Sequence, residues 1–183
     1  MRAIHPTLLL LAAYVAVFLE CRVSFVRDIL GVQPDLLPAL VVYASLTTNL
    51  ATVALLAIAG GVWFDALSMN PTGVTVFPLL ATGLALLWFR DLILTEQRYA
   101  RHVLGFGASV AVPALSLLLM MSMGERPLVG WGTLWMLLVL GAVGALGTPP
   151  MFFLFGRLRV LFEYQPLETP SFRDDREIKR GRR

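Results

Sequence analysis

The sequence predicts an all-α, polytopic integral membrane protein. From Leu36 onward the chain is apolar for a bilayer's depth several times over, and its hydrophilic breaks are too short to be soluble domains. Hydrophobic residues make up 57% of the chain and charged residues only 15%, with a mean hydropathy of +0.75. A water-soluble fold of 183 residues has too little interior to hide that much apolar surface. The chemistry to look for is therefore sparse: a few polar groups between helices, and one charged tail.

A helix rises about 1.5 Å per residue, so crossing ~30 Å of hydrocarbon takes roughly 20 residues. The candidate spans are Thr7–Val26, Leu36–Thr47, Leu50–Leu67, Val74–Leu94, Val103–Met123 and Trp131–Phe155. The first has the layout of a secretory signal, with Met1-Arg2 ahead of apolar Thr7–Leu19. No A-x-A site follows it. Phe18-Leu19-Glu20-Cys21 carries a glutamate where a lipoprotein cleavage box needs a small residue. A retained signal-anchor helix is expected.

The second segment is too short to cross, at roughly 18 Å if helical. Pro34-Asp35 precedes it and makes a good helix start, because aspartate caps free N–H groups. Thr47-Thr48-Asn49 ends it with three polar residues suited to a tight turn. Two topologies follow: six transmembrane helices, or five if Leu36–Leu67 is one long tilted helix.

The excess of basic residues on the cytoplasmic side does not separate them. With six helices, Arg2, Arg90, Arg98, Arg101 and the tail lie inside, and Arg22, Arg27 and Arg126 outside. With five, Arg22 and Arg27 move inside and Arg2 moves out. Both place the tail and the Arg90–His102 loop in the cytoplasm, and the six-helix arrangement adds the N-terminus. Asp65 is expected near the outer face.

Residues 1–156 thus form the transmembrane domain, and 157–183 a charged cytoplasmic tail. The tail carries the whole net charge of +3, because acidic and basic residues balance elsewhere. Arg157 and Arg159 directly follow the last span and are expected to anchor it at anionic headgroups. Pro166, Pro170 and the charge run Arg173–Arg183 point to disorder. The tail either fixes topology or docks a cytoplasmic partner. Its mixed sign and lack of interleaved aromatics exclude nucleic acid.

Polar residues inside an apolar chain are the candidates for function. Asp65 follows Ala59-Gly60-Gly61-Val62-Trp63-Phe64 near the end of a span. It suits either a helix-end carboxylate bonded to the turn Ser68-Met69-Asn70-Pro71, or a contact to another helix or partner. A proton relay would need further ionisable groups stacked through the membrane with Asp65, and no such stack is present. Glu20, Arg22, Asp35 and Asp65 all approach the outer face in the six-helix arrangement, where a paired cluster is expected.

Small residues let helices approach closely. Gly60 and Gly61, the run Gly141–Gly147, and Ala12-x-x-x-Ala16 are three such patches. Pro78, Pro113 and Thr148-Pro149-Pro150 are expected to bend or interrupt their spans. Thr82, Ser109, Ser116, Thr133 and Thr148 are a thin polar set for a ligand. No catalytic motif, cofactor signature or metal spacing is present. Cys21 is the one cysteine, and neither His5 nor His102 has a second ligand nearby.

In the middle of the chain Pro34-Asp35 precedes an apolar run ending at Tyr43, then come Gly61-x-x-x-Asp65 and Pro71-x-Gly73. This pattern resembles the bacterial rod-shape-determining MreD family. Thr148-Pro149-Pro150 and aromatics before Arg157-Leu158-Arg159 are similar to that family's ending, while the tail beyond Glu163 is longer than a compact member needs. The resemblance implies a six-helix bacterial inner-membrane scaffold of the cell-elongation machinery, with no enzymatic activity and no cofactor. It implies direct binding of MreC. Association with the RodA glycosyltransferase, its partner transpeptidase and the MreB filament would follow, and with it the positioning of lateral peptidoglycan synthesis. Pro34, Asp35, Gly61, Asp65, Pro71 and Gly73 carry the match. The implied fold is similar to that of the substrate-capture subunits of energy-coupling-factor vitamin transporters. Those carry an A-x-x-x-A pattern on their first helix, which Ala12 and Ala16 fit. A solute-capture subunit is therefore the rival reading, although no ligand cavity is legible in the sequence.

Overall fold

The computed structural model describes residues 4–22, 28, 31–68, 71–90, 98–125, 127 and 129–162. Among them the chain is all-helical: α1 (Ile4–Arg22), α2 (Leu37–Thr47), α3 (Leu50–Ser68), α4 (Val76–Phe89), α5 (Arg98–Ser122) and α6 (Trp131–Phe162). Three stretches are long and apolar enough to cross a membrane: Leu50–Ser68, Tyr99–Ser122 and Trp131–Leu158. Pro6–Glu20, Leu37–Thr47 and Val76–Phe89 are shorter apolar stretches.

The short second segment is explained by where it lies. α2 packs against each of the other five helices, and Leu37 through Ser45 are all buried. Its 11 residues make a rod of about 16 Å. Such a helix is jacketed by protein, so bilayer thickness does not set its length, and apolar residues all round it are what that position requires. Tyr43 fixes it to α6, with ring centroids 5.0 Å from Phe152 and 4.9 Å from Phe155.

Thr47-Thr48-Asn49 divides α2 from α3, so the alternative of one continuous Leu36–Leu67 helix does not hold. The Thr47 and Thr48 hydroxyls each donate at 2.7 Å, to the carbonyls of Tyr43 and Ala44. Thr48 is extended and its N–H also bonds to Ala44 O. Asn49 Oδ1 then accepts from Thr52 N–H at 3.0 Å and from its hydroxyl at 2.7 Å. One polar triplet thus ends a helix and caps the next.

Glycines set the closest helix approaches. A Cβ on Gly61 would meet the backbone of Val76 at 2.8–2.9 Å, so only glycine lets α3 touch the start of α4 there. On Gly60 it would meet the Leu37 side chain at 3.0 Å. Gly105 of α5 and Gly144 of α6 face each other, and a Cβ on Gly144 would lie 2.6 Å from Gly105 O. The small-residue run of α6 is therefore a helix-packing seam.

The expected interruption of a helix at proline is not found. α4 begins at Val76, so Pro78 occupies its first turn, between the Phe77 N–H···Gly73 O and Leu79 N–H···Thr75 O bonds. Pro113, Pro149 and Pro150 sit inside α5 and α6, which run through them uninterrupted. Two of the carbonyls they leave without a helical donor are taken up by α5. Ser116 Oγ lies 3.2 Å from Val74 O, opposite Pro78, and His102 Nδ1 lies 2.8 Å from Ala145 O, opposite Pro149.

Candidate functional site

Two carboxylates meet at the start of α2. Asp35 Oδ1 accepts the Leu37 N–H at 2.9 Å, the capping role its position suggests. The preceding N–H, of Leu36, is capped from another helix: Glu20 Oε1 accepts it at 2.6 Å. Gln33 Nε2 ties the same segment to α1 by donating to Glu20 O at 3.1 Å. Glu20 is 6% exposed, and its Oε2 has no hydrogen-bond partner among the described residues. Asp35 is half-buried, and burial pushes its carboxyl from 3.8 up to about 6 against the opposing effect of the Leu37 hydrogen bond.

Asp65 sits elsewhere, and its carboxylate is fully enclosed. Oδ2 accepts from Gly73 N–H at 2.8 Å, and both oxygens face Thr75 N–H at 3.2 and 3.3 Å. It therefore ties the end of α3 to the entry of α4, several residues beyond the turn at Ser68–Pro71. Gly73 adopts φ +101, a left-handed conformation that glycine takes without strain. Pro71 O accepts from Val74 N–H at 3.2 Å and closes that turn. The expected outer cluster thus resolves into separate arrangements. Glu20 joins Asp35, Asp65 holds a turn, and exposed Arg22 lies over the Phe18 ring at 5.6 Å.

Beside Asp35 lies a cavity of about 660 Å³, which no local sequence pattern marks. Its polar lining comes from Gln33, Asp35, Ser68, Thr75 and Ser116, and Phe64, Trp135 and Met136 are among its apolar walls. Of the five hydroxyls picked out within the spans, only Ser116 lines it. Thr148 donates to Gly144 O at 2.7 Å, Ser109 faces Gly144, and Thr133 accepts from Gly130 N–H at 3.2 Å. Sequence reasoning missed Gln33, Thr75 and the capping role of Glu20. Those residues come together only through tertiary packing, so no local pattern marks them.

Arg157 lies over the Phe153 ring at 5.0 Å. The Arg159 side chain and the tail from residue 163 on lie outside the described residues, as do 91–97 of the Arg90–His102 loop. Among the described residues no group of three His, Cys, Asp or Glu side chains could hold a metal ion. No family model, curated protein or solved structure matches the chain.

Proposed function

We propose that the protein is a non-enzymatic scaffold of the bacterial cell-elongation complex, binding MreC in the inner membrane and helping to position lateral peptidoglycan synthesis. The observation that carries this reading is the use made of the family-like residues. Asp35 caps α2, Gly61 seats α3 on the start of α4, and Asp65 with Gly73 closes the α3–α4 turn. The residues that resemble the family are thus the joints between three successive helices. A scaffold needs such rigid joints.

In this reading all six helices sit in the membrane with both termini in the cytoplasm, in an architecture similar to the substrate-capture subunits named above. Trp88 and Trp131 support the orientation of the bundle across a bilayer. They are 85% and 87% exposed. Trp88 lies close to Arg90, which reaches Thr48 O, whereas Trp131 adjoins Gly132 on the cavity wall with Gln33 and Asp35. Aromatic side chains at both ends suit the two membrane–water interfaces. RodA, the transpeptidase and the MreB filament would be reached through MreC.

The solute-capture rival needs Ala12 and Ala16 free for a coupling partner. Ala16 is buried and Ala12 packs against the core, which counts against it. Affinity co-purification from native membranes in mild detergent, read by mass spectrometry, tests the choice. Recovery of MreC, RodA or the elongation transpeptidase supports the scaffold. Recovery of a transporter coupling subunit with its ATPases would replace it.

A further inference from the structure

The cavity at the start of α2 is lined by one carboxylate, Asp35, among mostly apolar side chains. Its volume of about 660 Å³ lies within the roughly 300–1,000 Å³ of small-molecule sites. An anion would seek the free N–H groups at the start of α2, but Glu20 Oε1 and Asp35 Oδ1 already occupy those of Leu36 and Leu37. Of the two, Asp35 lines the cavity, and its Oδ2 has no hydrogen-bond partner among the described residues. A lining carboxylate with an unused acceptor favours a cation. Much of the remaining lining is apolar, with Phe64, Leu117, Met120, Trp135 and Met136.

We propose that this cavity binds a small amphiphile, with an ammonium end against Asp35 and an apolar body along Leu117, Trp135 and Met136. Gln33 and Thr75 are among the polar lining residues that accompany Asp35. The site does not rest on the scaffold reading, since its lining comes from this chain alone, although Asp35 and Thr75 also belong to the helix joints.

The test uses the full chain in dodecyl maltoside micelles and three probes that share an alkyl body and differ in head group: decylamine, decanol and decanoate. Thermal unfolding and tryptophan fluorescence report binding, because Trp135 lines the cavity. Saturable stabilisation is expected with decylamine and not with the other two. Asp35→Asn keeps an acceptor for the Leu37 N–H and should weaken decylamine roughly ten- to a hundredfold, the worth of one charge-assisted hydrogen bond. Leu117→Trp fills the apolar wall without touching the carboxylates and should abolish binding, which keeps the test decisive if Asp35→Asn does not fold. Phosphatidylethanolamine in the same micelles distinguishes two sources of the amine. Stabilisation by the lipid assigns the site to a headgroup, and stabilisation by decylamine alone assigns it to a free amphiphile. Equal binding of all three head groups, or decylamine binding unchanged in both variants, would overturn the proposal.

Discussion

His102 donates from Nδ1 to Ala145 O across the α5–α6 seam, at 2.8 Å. Ala145 is four residues ahead of Pro149, so its carbonyl is one that the proline leaves without a helical donor. The imidazole therefore holds the Nδ1–H tautomer and replaces a missing backbone bond. His102→Ala should lower stability by about 1 kcal/mol. In a Pro149→Ala background, where residue 149 regains its N–H, the same change should cost much less. A double-mutant cycle by thermal unfolding in detergent measures that difference, and additive effects would show that the two residues are independent.

Gly61 offers a sharper test of packing. Its missing Cβ makes room for the Val76 backbone at 2.8–2.9 Å, which cannot yield by rotating a side chain. Gly61→Ala should destabilise by roughly 1–3 kcal/mol as α4 is pushed away. Gly107, where a Cβ would meet nothing within 4 Å, is the control on the same scale. Gly107→Ala should be neutral or slightly stabilising, since alanine is the better helix former. Equal losses at the two positions would sink the close-approach argument.

Helix positions were largely legible because each polar break announces itself locally. Pro34-Asp35 starts α2, Thr47-Thr48-Asn49 ends it, and both act through neighbours no more than four residues away. The enclosure of α2 was not legible, because an all-apolar segment looks the same facing lipid or facing protein. The cavity was hidden for a different reason. Its lining joins residues near 33, 64, 75, 116 and 135, and only the packing of several helices brings those together. Asp65 fell between the two cases. Its position at a helix end was visible, but its acceptors' partners, Gly73 and Thr75, lay beyond the expected turn.

Asp35 should give the α2 start a pH dependence. Its carboxyl is raised from 3.8 to about 6 in the folded chain, so the folded state holds the proton more tightly than the unfolded one. Its contribution to stability is then fullest below about pH 4 and declines as pH rises toward 6. The thermal unfolding temperature of the native chain should therefore fall across that window relative to Asp35→Asn, which keeps a capping oxygen and cannot ionise. Parallel pH profiles for the two proteins would show that Asp35 does not titrate there.

Asp65 tells a structural role from a partner contact. Its carboxylate is 0% exposed and is the acceptor for the N–H groups of both Gly73 and Thr75. Asp65→Ala leaves two donors without it in a buried turn, at about 1–3 kcal/mol each. Asp65→Asn keeps one acceptor oxygen but sets an NH₂ group against an N–H, so an intermediate loss is expected. On the proposed scaffold reading, the buried carboxylate can influence MreC binding only through the α3–α4 turn. Across the two variants, co-purified MreC should therefore fall in step with the unfolding temperature. A variant that unfolds at the native temperature yet recovers no MreC would mean that the carboxylate itself reaches the partner, and that the turn opens when MreC binds.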